Sequence, residues 1–161
     1  IDSNRIYLIG ASYGAITGTT VVAQEKRIRA AALVVGGGNF RILARAPRVR
    51  ENLSGWMQPL AGLLMTTMAG PGDPVRHAAQ TAGTPVLMLN GTNDRVVTPE
   101  AGEALYEALG EPKEIRWYPV DHPDQEENGK EVLKMLKDGL AWLLEQDAPY
   151  RKEIAADPDA G

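Results

Sequence analysis

Cysteine is absent from the 161 residues, which excludes disulfides, thiolate nucleophiles and Cys-ligated zinc. Histidine is nearly as scarce: His77 and His122 are the only two, too few for a His-rich metal site. The expectation is therefore no metal and no cofactor. Positive charge is also short. A formal net charge of -4 lacks the basic footprint of a nucleic-acid or anionic-membrane binder, so neither is expected as a partner. The one basic concentration, Arg41, Arg45, Arg48 and Arg50 around Pro47, reads as a solvated loop on an acidic protein. No apolar run approaches the ~20 residues of a membrane-spanning helix. No signal peptide is visible, and a cytoplasmic location is the expectation. The chain opens Ile-Asp-Ser-Asn without an initiator Met, which is compatible with a longer gene product.

What remains is an ordinary globular composition, 43% hydrophobic and 24% charged, enough for one domain with a real core. Apolar strands and helical patterns alternate, which predicts α/β architecture: a parallel sheet of about four strands with flanking helices. The expected strands are Arg5–Ile9, Ala30–Val35, Pro85–Asn90 and Ile115–Val120. The expected helices are Tyr13–Lys26, Pro99–Leu109 and about Asn128–Gln146. Thr98 is a candidate N-cap before Pro99, and Val132, Leu133, Leu136, Leu140, Leu143 and Leu144 recur at helical spacing. The domain is expected to span residues 1–146, with a mobile tail from Asp147 to Gly161 containing Pro149 and Pro158.

The alternation breaks between Asn39 and Thr84, which reads as a lid-like insertion. It holds a Met- and Leu-rich helical stretch, Asn52–Ala69. Two readings stay open for it: core packing, or a substrate-facing lid with Trp56, Met57 and Leu60 as the substrate-binding candidates. Gly36-Gly37-Gly38-Asn39 lacks the spacing and the Lys-Ser/Thr ending of a phosphate-binding loop, so it marks a close backbone turn.

The chemistry concentrates at three positions. Ser12 lies in Gly10-Ala11-Ser12-Tyr13-Gly14, between an apolar strand and a helix. A serine hydroxyl needs exposure and a base to become nucleophilic. A G-x-S-x-G elbow supplies the exposure, its glycines leaving room where side chains would collide. The N-terminus of the following helix favours a developing oxyanion, with the Tyr13 N–H as the first donor. Asp94 follows the third strand in Asn90-Gly91-Thr92-Asn93-Asp94, at the sheet edge where catalytic groups gather. His122 follows the fourth strand in Tyr118-Pro119-Val120-Asp121-His122-Pro123. The order Ser, Asp, His suits a nucleophile, an orienting acid and a general base. Asp121 and Asp124 flank His122 as rival acids. Asp121, adjacent in sequence, is expected to point elsewhere, and His77 is expected to be structural.

These stretches, Asp2 to Gly14 and Thr84 to Pro99 with its Pro–strand–Gly-x-x-Asp-x-x-Val-x-Pro pattern, resemble the α/β-hydrolase superfamily. The resemblance covers nearly the whole chain and is nearest the carboxylesterase and dienelactone-hydrolase-like groups. It implies a serine hydrolase acting on small-molecule carboxylic esters through an acyl-enzyme. Ser12-Tyr13-Gly14 also resembles prolyl-oligopeptidase-type peptidase domains, which carry a second Gly where this chain has Ala15. Where such hydrolases have Gly-His, this chain has Asp121-His122. Superfamily members resemble an eight-stranded sheet whose fifth strand delivers the nucleophile, and this chain starts at that strand. The loop that supplies the second oxyanion N–H lies in the absent half, and losing one donor costs on the order of 10²–10³ in rate. A third reading is thus a non-catalytic fragment or subunit that needs a complementing N-terminal half. Strand Arg5–Ile9 would be a bare apolar edge, expected to be covered by a complementing chain or by a second copy in a homo-oligomer.

Overall fold

The computed structural model describes residues 5–51, 55, 59, 63, 70–123 and 128–156. Four parallel strands form one sheet in the order β1-β2-β3-β4, so the sequence order is also the spatial order. They are β1 (Ile6–Ala11), β2 (Ile28–Val34), β3 (Val86–Gly91) and β4 (Lys113–Tyr118). The α/β class and the strand count agree with the sequence expectation. β3 is buried at every position, which suits its unbroken Val-Leu-Met-Leu run: a parallel strand covered on both faces has no polar side to show.

Side chains from alternate strand positions feed two cores. On one face, Ala31, Leu33, Val86 and Met88 pack with Ala15 and Val22 of α1 (Tyr13–Gln24). Leu105 belongs to the same core and comes from the later helix Pro99–Ala108. On the other face, Ala32, Val34, Leu87 and Leu89 pack with Met135, Trp142 and Leu143 of the C-terminal helix, Gly129–Ala156. Leu33, Leu87, Leu89 and Leu105 lose all solvent contact, and each such burial contributes ~1.5–3 kcal/mol.

The described parts of the stretch between β2 and β3 include α2 (Phe40–Leu43), α3 (Pro47–Glu51) and 3₁₀ turns at Gly70–Gly72, Pro74–Arg76 and Ala78–Thr81. The later helices are therefore α4 (Pro99–Ala108) and α5 (Gly129–Ala156). The three substrate-binding candidates, Trp56, Met57 and Leu60, lie outside the described residues, as does most of 52–69.

Element ends differ from expectation in two informative places. β4 ends at Tyr118 rather than Val120, because the chain turns there: Val120 donates its N–H back to the Tyr118 carbonyl at 2.8 Å. α5 does not stop at Gln146 but continues to Ala156 with Pro149 inside it. The residue taken for the start of a mobile tail, Asp147, is a buried anchor. Its carboxylate accepts from Arg5 Nε (2.9 Å) and Nη2 (2.7 Å) and from the Tyr7 hydroxyl (2.7 Å), and pairs with Arg151 Nε at 2.8 Å. Proline removes its own N–H from the ladder, and the Arg5–Tyr7–Asp147–Arg151 cluster offsets that loss where it occurs.

Candidate active site

Ser12, Asp94 and His122 are brought together at the carboxyl ends of β1, β3 and β4. Ser12 follows β1 with φ 51° and ψ -116°, a positive φ that non-glycine residues adopt at a cost of order 1–3 kcal/mol. Two features hold it there. Its N–H donates to the Val34 carbonyl of β2 at 2.9 Å, and its carbonyl accepts the Ala15 and Ile16 N–H groups that open α1. Gly10 is required by contact, since a Cβ there would lie 2.3 Å from the Gly14 carbonyl oxygen. Gly14 departs from expectation: a Cβ there meets nothing within 4 Å, because this first-turn residue faces open space.

Asp94 sits in the loop after β3 with its side chain sealed from solvent. One carboxylate oxygen accepts the N–H groups of Val96 and Val97, each at 2.8 Å. The other lies 2.8 Å from His122 Nδ1. Two backbone donors restrain this side chain, so the carboxylate is held toward His122. The Asp94 and His122 loops are laced together: Thr92 N–H donates to the Tyr118 carbonyl (2.8 Å) and Asn93 N–H to the Val120 carbonyl (3.1 Å). Gly91 allows this approach, since a Cβ there would stand 2.4 Å from the Val120 carbonyl oxygen.

His122 Nε2 lies 3.0 Å from Ser12 Oγ. With a carboxylate at Nδ1, the consistent tautomer carries its proton on Nδ1 and leaves Nε2 to accept from the serine hydroxyl. The imidazole side chain is 20% exposed, so it stays reachable from solvent. Asp121 is not a second acid for it. Its carboxylate accepts the N–H groups of Arg95 (2.9 Å) and His122 (2.6 Å), bracing the two loops. Burial pushes the Asp121 carboxyl up, but these two N–H groups and the Arg95 and Arg48 charges hold it below the ordinary aspartate value. Asp124 lies outside the described residues. Asn128 Nδ2 donates to the His122 carbonyl at 3.0 Å and completes the loop's support.

The Tyr13 N–H opens α1, in the turn whose N–H groups have no partner inside the helix. The Tyr13 side chain projects outward, 76% exposed. Phe40, Ile42, Ile16 of α1 and Val96 of the Asp94 loop pack against a small core of Leu43, Val97 and Ala101. Asp73 positions α2: its carboxylate accepts the N–H groups of Asn39 (2.9 Å), Phe40 (2.7 Å) and Val75 (3.2 Å). Sequence reading passed over Asp73 and Asn128. The Asp-Pro pair at 73–74 is a local signal for a cap, but its reach to Asn39 is purely tertiary. His77 stands apart from the site with Nε2 3.1 Å from the Pro71 carbonyl. A cleft of about 490 Å³ borders Asp94 on the side of Ile42, Arg45 and Pro47. Among the described residues no group of three or more His, Asp or Glu could hold a metal ion, and no helix is long and apolar enough to cross a membrane.

The family model described as "Prolyl oligopeptidase family" matches residues 1–146. The Escherichia coli (strain K12) protein "Esterase YjfP" is 29% identical over 111 residues, covering 67% of this chain and 43% of that protein. This chain thus spans less than half the length of the curated relative it matches. Among solved structures, a puromycin-hydrolyzing peptidase of Mycobacterium tuberculosis superposes with TM-score 0.67 at 26% identity, over 91% of this chain and 22% of that one. Acetyl xylan esterase 1 of Thermoanaerobacterium sp. JW/SL YS485 gives 0.62 at 21% identity, over 85% and 46%, a likeness of fold.

Proposed function

This chain belongs to the prolyl oligopeptidase family, within the α/β-hydrolase superfamily, and from that premise we propose that it carries the nucleophile, base and acid of a serine hydrolase cleaving small-molecule carboxylic esters. The observation that carries the reading is the unbroken series from Ser12 Oγ to His122 Nε2 (3.0 Å) and from His122 Nδ1 to Asp94 (2.8 Å). Ser12 Oγ attacks the acyl carbon while His122 Nε2 takes its proton. The tetrahedral oxyanion is met by the Tyr13 N–H, helped by the N-terminal field of α1. His122 then protonates the departing alkoxide, and the C–O bond to the alcohol breaks. A water enters, gives a proton to His122 and splits the acyl-enzyme, and that proton returns to Ser12. Asp94 keeps the imidazole in the accepting tautomer and stabilises the imidazolium.

Because the chain spans only part of its relatives, turnover is proposed for the complete protein, with a second oxyanion donor supplied from outside residues 1–161. A peptidase is the second reading, favoured by the family match over residues 1–146. Comparing kcat/KM for short p-nitrophenyl esters with that for peptide p-nitroanilides separates the two. The ester reading expects the esters to be faster by more than the intrinsic ratio of the two bonds. Equal acceleration of the amides would replace it with the peptidase.

A further inference from the structure

Along a strand, side chains alternate between the two faces of the sheet. In β2, Ala31 and Leu33 enter the core against α1, whereas Ala30, Ala32 and Val34 enter the core against α5. Continued alternation would send Val35 to the α1 side and Gly36 to the α5 side. The reverse is found. Val35, with no solvent exposure, belongs to the α5 core. A Cβ on Gly36 would lie 3.3 Å from Ala15, 3.6 Å from Leu33 and 3.7 Å from Leu105, all members of the α1 core. The cause is a φ of 48° at Val35, a left-handed conformation that β-branched residues rarely adopt.

Two hydrogen bonds to β3 hold this reversal in place. The Val35 N–H donates to the Leu89 carbonyl at 2.8 Å. Asn90, only 1% exposed, donates from Nδ2 to the Gly36 carbonyl at 2.7 Å. The turn also stands among all three catalytic elements. Val34, just before it, accepts the Ser12 N–H, and Asn90 lies four residues before Asp94. The buried cluster that Val35 joins contains Val120, two residues before His122, with Tyr118 packed against it. The Val120 carbonyl accepts the Asn93 N–H at 3.1 Å, so the same cluster underlies the link between the Asp94 and His122 loops.

We propose that Val35 is a positioning residue for the general base. Its left-handed backbone turns an apolar side chain into the core beneath the His122 loop, and that packing sets where Nε2 stands relative to Ser12 Oγ. An extended residue at 35 would place its side chain on the α1 face and leave the Val120 end of the α5 core unfilled. Backbone strain of this kind persists only where the surrounding structure over-determines it, and it clusters at active sites. Asn90 and Leu89 supply the over-determination, and the placement of His122 is what it maintains. The inference rests on the reading of Ser12, His122 and Asp94 as a catalytic triad.

The test is a double-mutant cycle in the complete protein, read by the rate at which a fluorophosphonate labels Ser12. Val35→Gly removes the side chain and leaves a residue at ease with positive φ. Val35→Ala makes a similar truncation without the added backbone freedom. Val22→Ala, at a fully buried valine of the α1 core, is the control for general loosening. Both Val35 variants are expected to slow labelling on the order of 10-fold or more, and to lower kcat on p-nitrophenyl acetate with KM unchanged. In a His122→Ala background the same substitutions should change labelling by less than ~2-fold, because the group they position is gone. Wild-type labelling rates in both Val35 variants, an equal slowing by Val22→Ala, or undiminished slowing in the His122→Ala background would each overturn the inference. Equal labelling of wild type and His122→Ala would defeat the triad reading itself, and the inference with it.

Discussion

Replacing Asp94 by Asn exchanges a single oxygen for an amide nitrogen, and the geometry dictates the consequence. The carboxylate oxygen that accepts the Val96 and Val97 N–H groups at 2.8 Å each can be kept by the amide oxygen. The amide nitrogen must then face His122 Nδ1, now 2.8 Å from the other carboxylate oxygen. Two N–H donors cannot share that contact, so the imidazole places its proton on Nε2. Nε2 then donates toward Ser12 Oγ instead of accepting from it, and the serine loses its base. The loss for an aspartate-to-asparagine change in this arrangement is ~10⁴ in kcat, or about 5 kcal/mol of transition-state stabilisation. Folding stability should barely move, because both backbone donors keep their acceptor. Asp94→Ala makes the opposite comparison. It strands two backbone N–H groups in a sealed position and costs about 1–3 kcal/mol of stability for each. The assay is kcat/KM on a p-nitrophenyl ester with the complete protein, paired with urea unfolding of both variants. An Asp94→Asn enzyme within 10-fold of wild type would refute the reasoning, because the tautomer would then not matter.

Packing and charge give three further expected outcomes. Gly10→Ala forces a Cβ to 2.3 Å from the Gly14 carbonyl and should cost about 1–3 kcal/mol with loss of activity; Gly14→Ala, facing open space, should retain activity and stability, both read by urea midpoints and ester turnover. Leu105→Ala, with no solvent exposure in the α1–α4 core, should destabilise by about 2–5 kcal/mol in the same unfolding assay. Asp147→Asn should lower the urea midpoint at neutral pH. The hydrogen bonds from Arg5 and then Tyr7 hold this carboxyl at about 2, below the ~3.9 of an unfolded aspartate. Its contribution is therefore complete above about pH 4 and is lost as pH falls through 2. The gap between wild type and variant should narrow across that window.

The parts of this molecule that were legible in the sequence are those that local pattern determines. Pro85–Asn90 reads as a buried strand because a parallel strand covered on both faces shows a continuous apolar run. Ser12, Asp94 and His122 could be picked out because each follows a strand, and strand ends in a parallel sheet converge on one edge. What escaped depends on distant partners. Pro149 lies in the stretch expected to be a mobile tail, and the contacts of Asp147 with Arg5 and with Tyr7 of the first strand tie that stretch down. Asp73 carries no sequence signal for its reach to Asn39 and Phe40, whose N–H groups its carboxylate accepts. Gly14 matched a motif without a steric need, whereas Gly91, the glycine of the Gly-x-x-Asp pattern, has one: it lets the Asp94 and His122 loops meet.

The central claim, that His122 activates Ser12 as a nucleophile, is tested most directly by covalent capture. The complete protein is treated with a fluorophosphonate, digested, and the modified peptide identified by mass spectrometry, in wild type and in His122→Ala. The account predicts one phosphonylated site, Ser12, formed rapidly in wild type and at least 10³-fold more slowly without the imidazole. Label on another residue, or equal labelling rates in the two proteins, would contradict it.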